Sequence, residues 1–192
     1  MLDSRLIKLM PIVAERYNAP GRHYHNWNHI VELFRLIHWH SLELNISQYL
    51  AILFHDIVYV PGSTENEANS VNEMRWIAAG MFTGKELNDA AIIILDTKTH
   101  VPTSFDSRMV LDLDMAILGN SKTHAEYDMA IRKEFSAYPD HEYYTGRKMF
   151  CEATLALPNI YWTMIFNNAY DAIAREYLKN SIRFCKAMLH ET

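Results

Sequence analysis

Apolar residues recur at spacings of three and four along almost the whole chain, and the strict alternation of a half-buried strand is nearly absent. That periodicity predicts an all-helical protein. Residues 3–17 read as a first helix, kinked or restarted at Pro11, and APGR at 19–22 breaks the chain before a second helix over about 28–42. Ser47 offers a cap for a short buried helix in QYLAILFHDIVY, which VPGS then ends. Thr64 with Glu67 and Thr83 with Glu86 have the form of capping boxes, in which hydroxyl and carboxylate each satisfy a free amide, and they open two more helices. Further helices are expected over about 106–118, stopped at Gly119 and Asn120, over about 123–138 and 141–157, and once or twice more before the C-terminus. No repeat, low-complexity tract or linker interrupts this pattern. The expectation is therefore a single all-α domain, a helical bundle of about eight or nine helices.

Composition narrows the classes without changing that picture. A chain of 192 residues, 49% of them hydrophobic, with only 6 Gly and 6 Pro, is long enough to bury one substantial core. The formal net charge of -5, with no block of Lys or Arg, argues against a nucleic-acid polymer as partner. No apolar run approaches the roughly 20 residues of a bilayer span. The N-terminal MLDSRLIKLMPIV is broken by charge, so no signal peptide or membrane association is expected and the default compartment is the cytoplasm. Cys151 and Cys185 have apolar neighbours and no metal-binding spacing, which predicts reduced, buried thiols.

Four places combine ionisable groups with apolar surroundings in a way a core does not need. In YHNWNHI (24–30), His25 and His29 fall one turn apart on the same helix face. In AILFHDIVYV, His55 and Asp56 sit inside an apolar run, where a lone carboxylate costs several kcal/mol to desolvate and a cation with histidine co-ligands is one solution. In VLDLDMAILG, Asp112 and Asp114 are again embedded among aliphatics; residues two apart on a helix point about 200° apart, so only one is expected to reach a given centre directly. A buried aspartate there can instead cap a helix or pair with Arg108 or Arg132. In ILDTKTH, Thr97, Lys98 and His100 follow an apolar helix and offer donors to an anion. Each pattern alone has a bland structural explanation, but their coincidence in this order makes a mixed set of imidazoles and carboxylates suited to Mn²⁺, Fe²⁺, Co²⁺, Ni²⁺, Zn²⁺ or, less comfortably, Mg²⁺. Paired ExxH motifs, which di-iron bundles require, are absent.

These stretches resemble the HD superfamily of metal-dependent phosphohydrolases, named for adjacent His and Asp ligands in an H...HD...D pattern on a helical bundle. The closer similarity is to a small branch with YHNxxHI, FHDxxY followed by NExxS, TxxH and DxDxxxLG. Here they read YHNWNHI (24–30), FHDIVY (54–59), NEANS (66–70), TKTH (97–100) and DLDMAILG (112–119). The similarity covers about 22–120, a motif-bearing core on which helices of 121–192 are expected to pack.

The resemblance implies a divalent metal held by His29, His55, Asp56 and Asp114, with Asp112 the alternative for the last. It implies hydrolysis of a small phosphomonoester or nucleotide-like substrate, with Asp56 also accepting a proton from the attacking water and Glu67 orienting that water. His25, Lys98, His100 and Arg22 would meet the phosphate, and Tyr24, Trp27 and Tyr59 would line the pocket. His38 and His40 are expected on a solvated helix face. A non-catalytic nucleotide or metal sensor on the same scaffold is the alternative, and a metal-free helical interaction protein a third. Homodimerisation is left open.

Overall fold

The computed structural model describes residues 2–191, and the described residues contain helices and no strand. The α-helices are α1 (Ser4–Tyr17), α2 (Trp27–Trp39), α3 (Ile46–Phe54), α4 (Asn66–Ile77), α5 (Gly84–Asp96), α6 (Ser107–Met115), α7 (His124–Glu134), α8 (Asp140–Ala156) and α9 (Met164–Met188). A 3₁₀ turn, Ala116–Gly119, continues α6. Among the described residues no helix is long and apolar enough to cross a membrane. The chain forms two compact units, the first ending at Leu113 and the second beginning at Asp114. The division falls within α6.

In the first unit α3 is the central element, in contact with α1, α2, α4 and α5. Seven of its nine residues are buried, because four neighbouring helices leave only the face of Ile46 and Tyr49 partly exposed. Its start is set by Asn45, whose side chain accepts from the Gln48 amide while the Gln48 side chain accepts from the Asn45 amide. Ser47 lies inside the helix and is buried, so the expected cap at Ser47 is corrected to Asn45. Helix α1 runs through Pro11 without restarting, held by a buried face of Leu6, Leu9, Val13 and Tyr17. Thr83 and Glu86 form the expected capping box on α5. The other expected box does not form: α4 begins at Asn66, its N-cap Glu65 makes no side-chain cap, and the Thr64 hydroxyl turns to the Glu65 carboxylate. Glu67 is therefore free of the capping duty its spacing suggested.

In the second unit α8 packs on α9, and both α7 and α9 meet the 3₁₀ turn. A part-buried polar knot ties these helices: Arg147 donates to the Tyr127 and Tyr177 hydroxyls and to Asp128. Its guanidinium also lies over the rings of Tyr127 and Phe150. Cys151 and Cys185 are free and buried, and burial pushes the Cys151 thiol up to about 11. Gly119, which ends the 3₁₀ turn, is required for a close approach: a Cβ there would stand 2.4 Å from Tyr170 Cβ, rooted in the α9 backbone. Gly119→Ala is expected to destabilise the protein by about 2 kcal/mol through overpacking, read as a lower urea midpoint at unchanged slope.

Candidate metal centre

Two helix ends and one helix bring the candidate ligands together. Asn26 caps α2 by accepting from the Asn28 amide, so α2 starts at Trp27 and His29 lies in its first turn, buried. His55 follows the last residue of α3 and is 1% exposed; its amide still donates to the Ala51 carbonyl, continuing the helical ladder. Asp114 is carried by α6, one uninterrupted helix from Ser107. One donor atom from each of His29, His55 and Asp114 lies within 4.8 Å of the others, a grouping able to hold a metal ion.

The internal geometry fits a small cation. His29 Nε2 and His55 Nε2 are 3.2 Å apart, and His55 Nε2 is 3.1 Å from Asp56 Oδ2. Two donors bound about 2.1 Å from one ion at tetrahedral or octahedral angles stand about 3.0–3.4 Å apart, so both separations match an edge of a coordination polyhedron. The other ring nitrogen of His55 is placed to match. Its Nδ1 is 3.0 Å from the Ile52 carbonyl, which can only accept, so a ring with a cation bound at Nε2 would carry its proton on Nδ1. Two imidazoles and two carboxylates would balance a divalent charge.

The turn carrying His55 and Asp56 is fixed from three directions. Tyr17 of α1 accepts the Asp56 amide through its hydroxyl at 3.1 Å. Arg22 donates to the carbonyls of His25, Asp56 and Ile57 at 2.9, 2.6 and 2.7 Å, pinning the segment before α2 to the turn after α3. Asn66 brackets Val60, donating to its carbonyl and accepting its amide, and the Ser70 hydroxyl does the same for Val58. Arg22, expected to meet the phosphate, thus has a structural task. Sequence reading did not single out Tyr17 or Ser70, although Asn66 and Ser70 stand at the two ends of the NEANS stretch.

The remaining candidates have other surroundings. His25 stacks on Tyr59, with ring centroids 4.0 Å apart, and Tyr24 packs against both His25 and His29. Trp27 packs on Tyr17. Asp112 is fully buried two residues before Asp114, on another face of α6, and is not in the three-residue grouping. Glu67, in the first turn of α4, holds Oε2 buried with no hydrogen-bond partner. Lys98 is exposed and donates to the Thr64 carbonyl. His100 is half-buried in the loop after α5 with φ +54°. His38 is exposed and His40 half-buried at the end of α2, apart from the grouping.

Fold and cluster together define the class: an all-helical protein with a candidate mixed imidazole and carboxylate metal centre. Compared with known proteins, the chain matches no family model, no curated protein and no solved structure.

Proposed function

We propose that this chain is a metal-dependent phosphohydrolase acting on a small phosphomonoester or nucleotide-like phosphate. The observation that carries the reading is the pair of facing Nε2 atoms of His29 and His55, 3.2 Å apart, beside Asp114 and Asp56. His29, His55 and Asp114 would hold the ion, with Asp56 as the fourth donor. A divalent ion bound there would supply Lewis acidity, lowering the pKa of a bound water towards about 7 and polarising the phosphoryl oxygen. The protein's own groups do the rest. The Ile52 carbonyl, 3.0 Å from Nδ1, would hold the His55 ring with Nε2 turned to the ion. Arg22 and Tyr17 hold the Asp56 turn in place. Glu67, in the first turn of the helix that follows the Asp56 turn, holds a buried carboxylate oxygen without a partner and would orient the attacking water, while Asp56 would accept its proton.

Elemental analysis of the freshly purified full chain, followed by phosphate release from nucleotides and sugar phosphates with added Mn²⁺, Mg²⁺, Co²⁺ or Ni²⁺, tests the reading. Close to one equivalent or more of a transition metal, and release that stops on chelation and returns on metal addition, are the expected results. Tight nucleotide binding with no metal-dependent release would support a sensor instead.

A further inference from the structure

At the end of α2 an apolar groove of about 450 Å³ opens on the surface of the first unit. Phe34 and Ile37 of α2, Leu42 just beyond it and Tyr49 of α3 line it, with His38 and Ser41 also on its wall. The rings of Phe34 and Tyr49 lie nearly parallel, 15° apart with centroids at 5.9 Å, and both are half-buried, so part of an aromatic pair faces water. The volume falls within the range of about 300–1,000 Å³ that small organic groups occupy.

Beside the groove stands Trp39, the last residue of α2, 81% exposed. One residue turns a helix by about 100°, so the indole leaves α2 next to the groove that His38 lines but on a different side. A single exposed apolar residue is ordinary, yet a large indole adjoining an apolar hole of ring size makes a knob and a hole on one surface. A two-fold rotation lays each copy's knob on the other's hole, which is the self-complementarity an isologous interface requires. Charge follows the same rotation. Arg35 lies one turn before Trp39 on the same side of α2, while Glu43 follows Leu42 at the edge of the groove, and both are exposed. An entering Trp39 brings its own Arg35 towards the other copy's Glu43. Arg35 otherwise pairs only with Glu32 on its own helix at 3.2 Å, an exposed pair that contributes little and exchanges readily.

We infer that two copies of this chain associate by exchanging Trp39, the indole of each entering the groove bounded by Phe34, Ile37, Leu42 and Tyr49 of the other. Trp and Arg are the residue types that dominate interface energies. Each Trp39 brings about 200 Å² of surface, and two of them with the equal area of groove they cover come to about 800 Å². Stable complexes bury about 1,200–2,000 Å², so this dimer is transient, half-assembled on the order of 100 µM. His29 and Trp39 stand at opposite ends of α2, about 15 Å apart along its axis, so the interface lies away from the candidate metal centre and is independent of the proposed hydrolysis.

Sedimentation equilibrium of the full chain tests this. Over about 5–500 µM the mass should rise from 22.4 kDa towards twice that value. Trp39→Ala removes an exposed side chain, so melting should be unchanged while the dissociation constant rises at least about 30-fold, the loss typical of an interface anchor. His38→Glu, which puts a carboxylate on the groove wall, should weaken association comparably. Arg35→Glu should weaken it about 3-fold, and adding Glu43→Arg should restore it. A mixture of the Trp39→Ala and His38→Glu chains offers one intact indole to one intact groove and should associate more tightly than either chain alone. No gain in that mixture means that the two tryptophans do not enter the grooves, and the inference falls. A wild type that stays monomeric throughout, or a Trp39→Ala chain that associates like the wild type, overturns it too. So does a monomeric wild type that binds free indole and loses that binding in His38→Glu, which gives the groove to a small aromatic ligand instead. Metal content and phosphate release measured at low concentration should be the same in Trp39→Ala as in the wild type, so either reading can fail while the other stands.

Discussion

His55→Ala is expected to leave the protein with almost no bound metal and to lower phosphate release by more than about 100-fold, since loss of a ligand should exceed the roughly 10–100-fold typical of losing an outer partner. The physical reason lies in the shared atom. His55 Nε2 lies 3.2 Å from His29 Nε2 and 3.1 Å from Asp56 Oδ2, so its removal separates the histidine from one carboxylate at a stroke. Because His55 is buried, truncation also opens a cavity, and circular dichroism must show the helices intact before the loss is read as chemistry. Asp114→Asn supplies the control. It is half-buried and nearly isosteric, so it should fold as the wild type does and still lose metal. Full metal content and turnover in both variants would remove this cluster from consideration.

The second large effect belongs to Arg22. Its guanidinium reaches three carbonyls belonging to two segments more than thirty positions apart in the chain. Hydrogen bonds from a charged donor contribute about 1.5–3 kcal/mol each where water is partly excluded, and some of that is recovered by solvent when the donor is removed. Arg22→Ala should therefore cost about 3 kcal/mol and lower the melting temperature by roughly 6–12 °C. Arg22→Lys should recover little, because a single ammonium cannot span the fork that serves His25, Asp56 and Ile57 together. Metal retention should weaken along with stability, since both ligand-bearing segments loosen. A lysine variant as stable and as well metallated as the wild type would show that the charge, and not the fork, is what this position requires.

The helical character and the rough position of the helices before α9 were legible in apolar spacing, since burial on one face of a helix writes itself into the sequence, whereas the C-terminal stretch, expected to hold one or two helices, forms the single α9. Helix starts were less so. Thr64 with Glu67 and Thr83 with Glu86 have the same local pattern, yet only the second pair forms a box. The first is overridden because Asn66 spends its side chain on Val60, which draws the helix start past Thr64. That choice is made by a contact six residues away, beyond the reach of a four-residue rule. The true cap of α3 was present as Asn45 and Gln48, an equally valid capping pair masked by the nearer Ser47. In the candidate centre, helix geometry required that Asp112 and Asp114 diverge, and it is Asp114 that joins His29 and His55. The supports of the site were hidden. Nothing about a tyrosine at 17 or an arginine at 22 announces an amide or a carbonyl as its partner, because backbone groups carry no sequence signature.

The sheathing of α3 has a consequence for how the protein breathes. A helix in contact with α1, α2, α4 and α5 and buried from Leu50 to Phe54 should exchange the amides of its second half with solvent only when the unit opens. His55 hangs from the end of that helix. Surface helices can fluctuate on fast timescales while the imidazole of His55 keeps its place.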